Sequence, residues 1–190
     1  MHDLLIRGGT VVTASGPRKL GIFVDDGLIT SLSTDEIDSN EAKKIIDAEG
    51  MIVVPGGIEP HAHIGGPRQP ERSGAEVVSK AALLGGTTTV MDFATQIPGH
   101  DLYHALEEAE ERWSGNAYTD YAYHPILTNG ADEDSISQIK QLTKEGIVSF
   151  KIFTTSIRPP SPQMQNNHTD FGRLGTIMEQ VSDSGSILLV

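Results

Sequence analysis

Apolar and polar positions change their period near residue 55. Before it, short alternating runs at residues 4–6, 10–13, 21–24 and 28–32 predict strands, because a two-residue period places every second side chain on one face. The last two are separated by Asp25-Asp26-Gly27, and Asp-Gly between apolar runs is a hairpin signal. Runs at 44–47 and 51–54 continue the pattern across a Glu49-Gly50 turn. Residues 1–54 therefore read as part of a small β domain.

Beyond Pro55-Gly56-Gly57 the spacing alternates between helical and strand periods. Leu102, Ala105, Leu106, Ala109 and Trp113 form an apolar stripe behind a capping Asp101. Ile136, Ile139 and Leu142 repeat it behind Asp132 and Asp134, as do Leu174, Ile177, Met178 and Val181 behind Asp170. A further helix around 77–84 is closed by Gly85-Gly86. Between these helices, apolar segments at 87–93, 119–126, 147–153 and 186–190 predict buried strands. Alternating strands and helices imply a parallel sheet with right-handed crossovers, either doubly wound or closing toward a (β/α)₈ barrel. With residues 52–58 as the first barrel strand, residues 55–190 supply about five strands of the eight such a barrel needs.

Composition narrows the function classes. The chain has 37% hydrophobic and 21% charged residues, the balance of a globular protein, and a formal net charge of -12. A polyanion is poorly suited to phosphate backbones, which excludes nucleic acid as a partner. With no cysteine, any metal must be held by nitrogen and oxygen donors. No secretory signal and no run of transmembrane length is present, so the expectation is a cytoplasmic protein without a membrane partner.

The sharpest chemical feature is Glu59-Pro60-His61-Ala62-His63, which follows an apolar run. In extended backbone, residues i and i+2 project to the same side about 6 to 7 Å apart, so His61 and His63 converge on a point where a metal can sit. An isolated H-x-H is also compatible with two polar loop residues; a position at the C-terminal end of a barrel strand favours ligation, because barrel enzymes place their sites there. The second feature is Lys151. Alternation puts Val148, Phe150 and Ile152 on one face of its strand and Ile147, Ser149, Lys151 and Phe153 on the other. Such a lysine either snorkels to water or, once desolvated, becomes a neutral amine able to capture CO₂ as a carbamate. His124 reads as a buried, hydrogen-bonded histidine, and Asp92 as a strand-end cap or an orienting group for a neighbouring ligand.

The opening Asp3-Leu4-Leu5-Ile6-Arg7-Gly8-Gly9-Thr10-Val11-Val12 carries a resemblance, together with Val54-Pro55-Gly56-Gly57-Ile58-Glu59-Pro60-His61-Ala62-His63, Gly85-Gly86-Thr87-Thr88, Met91-Asp92-Phe93 and Ser149-Phe150-Lys151-Ile152-Phe153. In order and combination these segments resemble the cyclic amidohydrolases, the dihydropyrimidinases and D-hydantoinases in particular. The resemblance implies an α/β protein: a (β/α)₈ TIM barrel, here partial, preceded by part of a small β-sandwich. It implies hydrolysis of a hydantoin or dihydropyrimidine C–N bond by hydroxide held on two divalent ions, usually zinc in such families. His61 and His63 would bind one ion and Lys151, carbamylated by CO₂, would bridge both.

The same resemblance implies two further histidines and an aspartate beyond Val190, so the chain is expected to be the N-terminal portion of an enzyme and inactive alone. Relatives generally assemble as homotetramers or homodimers acting on small-molecule substrates. Ser156 occupies the position where hydantoinases commonly carry a substrate-binding tyrosine, and Gly65 the position where dihydroorotases and allantoinases carry an arginine. Glu59 replaces the usual aspartate and is not assigned to the metal. The alternative reading is a dihydropyrimidinase-related scaffold that keeps the fold without catalysis.

Overall fold

A computed structural model describes residues 1–34, 42–65, 72–97, 99–128, 133–154 and 170–190. The chain folds as two compact units, Met1–Gly56 and Gly57–Val190.

The first unit contains two small sheets. One has the order β5-β4-β1-β6, from β1 (His2–Arg7), β4 (Gly21–Asp25), β5 (Leu28–Ser33) and β6 (Ala42–Asp47); the other has the order β3-β2-β7, from β2 (Thr10–Thr13), β3 (Gly16–Lys19) and β7 (Ile52–Val53). The Asp-Gly hairpin forms as its sequence predicts. Asp25 pairs with Leu28, and Asp26 and Gly27 both take positive φ, 50° and 77°, the geometry whose twist matches that of the flanking strands. Leu5, opposite Phe23, is fully buried.

In the second unit five parallel strands, β8 (Gly57–Ala62), β9 (Thr87–Thr95), β10 (Asp120–Ile126), β11 (Ser149–Lys151) and β12 (Ile187–Leu189), are neighbours in chain order. A doubly wound sheet reverses its strand order at a switch point, whereas a barrel adds each strand beside the last. The unbroken order makes this unit a partial (β/α)₈ barrel. Among the described residues, four helices alternate with the strands: α1 (Ala75–Leu84), α2 (Leu102–Trp113), α3 (Glu133–Lys144) and α4 (Phe171–Ser184).

The first barrel strand differs from its expected range of 52–58. Ile52 and Val53 pair with β2 in the first unit, and the barrel strand begins at Gly57, whose N–H donates to Gly86 O at 2.8 Å. Pro55 has no N–H to continue a ladder, and the two following glycines let the chain change partner.

The helices bury the stripes their spacing predicts. Leu102, Ala105, Ala109 and Trp113 of α2 are buried, as are Ile136, Ile139 and Leu142 of α3. On α4 Ile177 and Val181 are buried, while Met178 is exposed. Phe150, fully buried, and Ile152 join Leu102, Leu127 and the α3 and α4 residues in one cluster. Burial of each large apolar side chain contributes about 1.5 to 3 kcal/mol, and this cluster fixes which side of β11 faces the helices. Ser149 and Lys151, of opposite parity, face the other way. No helix among the described residues is long and apolar enough to cross a membrane.

Candidate metal centre at the strand ends

The H-x-H pair is placed by an irregularity in β8. Glu59 pairs with Val90 and Ala62 with Asp92, so three steps along β8 match two along β9, leaving one extra residue between them. Pro60 sits in this bulge, where its missing N–H removes no ladder bond. The His61 N–H is taken up locally by Glu59 Oε1 at 2.9 Å. His61 lies within the bulge and His63 just past it, and their ring centroids are 5.2 Å apart. Both rest on Phe93: His63 is stacked at 4.5 Å and 20°, and His61 meets the ring edgewise at 4.7 Å and 65°.

His124 approaches the same ring, at 5.3 Å, from β10. It is buried, and both nitrogens are engaged: Nε2 lies 2.9 Å from Pro60 O and Nδ1 2.6 Å from Ser149 Oγ. A carbonyl only accepts, so Nε2 carries the proton and Nδ1 accepts from the serine hydroxyl. Burial holds the His124 pKa below that of a free histidine, with the charges of His61 and Lys151 acting in the same direction and the Pro60 hydrogen bond opposing them. The ring is neutral at pH 7 and has no lone pair left for a metal. Its link to Pro60 ties β10 to the bulge that presents His61 and His63.

Burial is also the first cause of a lowered pKa at His63, followed by the charges of Arg72 and His61; Asp92 opposes them. A neutral imidazole is the form that ligates a metal. Lys151 closes β11, in register with Ile126 and Leu189, and its Nζ lies 5.1 Å from the Phe153 ring centroid. Its charge reaches both His63 and His124. Among the described residues, no hydrogen bond or ring contact joins Lys151 to His61 or His63, and no three His, Asp or Glu side chains are grouped to hold a metal ion. Two convergent imidazoles therefore fit part of a zinc shell, with a lysine opening toward the same strand ends. Ser156 lies outside the described residues.

No protein-family model matches the chain. A D-hydantoinase of Streptomyces coelicolor is 31% identical over 193 residues, covering 98% of this chain and 39% of that protein. A dihydropyrimidinase of Rattus norvegicus is 31% identical over 194 residues, covering 97% and 37%. The chain belongs to the hydantoinase and dihydropyrimidinase family. The fold agrees with that of solved members. A D-hydantoinase structure superposes with a TM-score of 0.82 at 31% identity, covering 98% of this chain and 39% of that one. A dihydropyrimidinase from Brevibacillus agri superposes at 0.84 and 28% identity, covering 99% and 39%. This family member thus spans about 39% of the length of the relatives it matches.

Two features of the family member's site gain their role only in three dimensions. Phe93 is the platform on which three imidazoles meet; period-two alternation from Met91 is the only signal for its inward direction. Gly65 is buried, donates its N–H to Ser73 O at 2.9 Å, and lies so close to Arg72 that a Cβ would collide with that residue's carbonyl. The backbone has no room there for the arginine of the dihydroorotase pattern.

Proposed function

We propose that this family member serves the hydrolytic opening of a cyclic amide or ureide of hydantoin or dihydropyrimidine type. The observation that carries the reading is the convergence of His61 and His63 on Phe93 at the C-terminal end of the first barrel strand. In this reading the two imidazoles hold one divalent ion, for which zinc suits the nitrogen donors. Lys151, as a carbamate formed from its neutral amine and CO₂ with release of one proton, would supply carboxylate-like oxygens to this ion and to a second. When bound, such ions supply Lewis acidity that lowers the pKa of water and polarises the attacked carbonyl.

The chain's own residues supply orientation. His124, held neutral, adds no cation beside the imidazoles and fixes the bulge through Pro60. Gly65 puts no cation at the one position where the dihydroorotase pattern carries its arginine, which favours an uncharged ring over a substrate bearing a carboxylate. Ser156 is the substrate-facing position in this reading. The remaining ligands belong to the length that the relatives have in addition, and the working unit is a cytoplasmic homodimer or homotetramer. Residues 1–54 are read as part of the β-sandwich and 55–190 as the first half of the barrel; the compact-unit boundary at Gly56/Gly57 supports that division.

The test is zinc analysis of the full-length protein, with mass measurement of Lys151 after gentle proteolysis and an assay on hydantoin and dihydrouracil. The reading expects about two zinc ions per subunit, one added CO₂ on Lys151, and ring opening. A protein without metal and without turnover is instead the non-catalytic scaffold.

A further inference from the structure

Asp92 faces away from the three imidazoles, against α2, and is only 2% exposed. A buried carboxylate is tolerated when its oxygens are supplied with donors. Its Oδ2 accepts from Trp113 Nε1 at 3.0 Å and Arg112 Nη2 at 3.3 Å; its Oδ1 accepts from Phe93 N at 2.7 Å and Ile64 N at 3.2 Å. Arg112 also donates to Phe93 O and Glu108 O, and Trp113 is wholly buried, so α2 holds the carboxylate in one place.

The Ile64 contact stands apart from the other three. The β8 to β9 ladder ends at the pair Ala62 and Asp92, and His63 comes next. Past the end of the ladder, the Asp92 side chain accepts the Ile64 N–H. On the opposite face of β9, the adjacent Phe93 stacks against the His63 ring. His63 is thus held at its backbone by one residue and at its ring by the next.

We propose that Asp92 is a positioning residue for His63: its carboxylate, anchored by Trp113 and Arg112, fixes the Ile64 amide and so sets His63 on Phe93. The pinning itself needs no metal, whereas its consequence for metal affinity rests on the function proposed above.

The test uses the full 190-residue chain without metal. In the unsubstituted chain the His63 ring protons, stacked on Phe93, resonate upfield of free imidazole, and the Ile64 amide is protected from hydrogen exchange. In Asp92→Ala the upfield shift collapses and Ile64 exchange accelerates about 10-fold or more, the factor carried by one lost hydrogen bond. Should the alanine variant fail to fold, Asp92→Asn is read: its single carbonyl cannot serve both pairs of donors, and the same changes appear in reduced form. Trp113→Phe removes one of the two anchors and leaves the Arg112 and Ile64 contacts, so it reduces the His63 shift less than Asp92→Ala does. Unchanged His63 and Ile64 signals in Asp92→Asn, or an unprotected Ile64 amide in the parent chain, overturns the proposal. A zinc titration of the full-length protein then separates the two readings. Loss of affinity of about 10- to 100-fold in Asp92→Asn extends the positioning to the metal. No zinc binding by the parent protein defeats the hydrolase reading and leaves the positioning result standing.

Discussion

His124 Nδ1 lies 2.6 Å from Ser149 Oγ, and this bond joins β10 to β11 two residues before Lys151. It also sets the tautomer of the ring, because the other nitrogen donates to Pro60 O. Ser149→Ala leaves a buried acceptor without its donor, and we expect a loss of about 1 to 3 kcal/mol of stability, read from the urea midpoint. Ser149→Thr, which keeps the hydroxyl, should recover a large part of it. Equal midpoints for the alanine variant and the parent would show that the bond contributes nothing.

The two lowered histidines set an acid-sensitive window. His63 and His124 both have folded pKa values below the ordinary 6.5. Between those values and 6.5 the unfolded chain binds protons that the native chain does not, so stability rises with pH there. Stability is therefore lost as pH falls below 6.5 and levels off below the folded values. Asp101, whose pKa lies below 3.8 chiefly because its carboxylate accepts the His104 N–H, adds a separate loss that begins only in more acidic solution. Urea midpoints taken from about pH 8 down to about pH 5 should fall in the histidine window, and His124→Gln should flatten the slope. A flat profile in the parent protein contradicts this assignment.

The turn after the H-x-H pair tolerates no side chain at Gly65. Gly65→Ala drives a methyl group into the Arg72 carbonyl, so the backbone must shift. A cost of about 1 to 3 kcal/mol is expected from overpacking at this buried position. Gly74→Ala, where nothing lies within 4 Å of the added carbon, is the matched control and should change stability far less. Thermal melts of the two variants decide the matter.

Asp101 caps α2 through the His104 N–H at 2.9 Å and accepts from Gln138 Nε2 of α3 at the same distance. Asp101→Ala removes both, with an expected cost of about 1 to 2 kcal/mol in a denaturant titration. Asp101→Asn keeps an oxygen for the cap and should cost less. A result in which the two variants are equally destabilised would place the energy in the carboxylate charge instead of the cap.

Much of both units was legible in the residue pattern. The stripes of α2 and α3, the caps at Asp101 and Asp170, the Asp-Gly hairpin and the two convergent imidazoles follow from local spacing and local hydrogen bonding, which need only neighbours in the chain. The extent of the first barrel strand was not legible. Ile52 and Val53 have the same apolar character whether they extend β8 or pair with β2, and the choice depends on partners distant in sequence. Met178 keeps the helical period of α4, yet it is exposed.

Local chemistry by itself singled out the side chains proposed here as metal ligands: His61, His63 and, in its carbamate form, Lys151. Tertiary structure decided how they are presented. The bulge at Pro60, the platform of Phe93, the neutral tautomer of His124 and the outward turn of Asp92 all depend on register between parallel strands. In a parallel sheet each neighbouring strand is reached only through an intervening crossover, so its alignment is set by packing among segments tens of residues apart and not by the order of amino acids along any one of them.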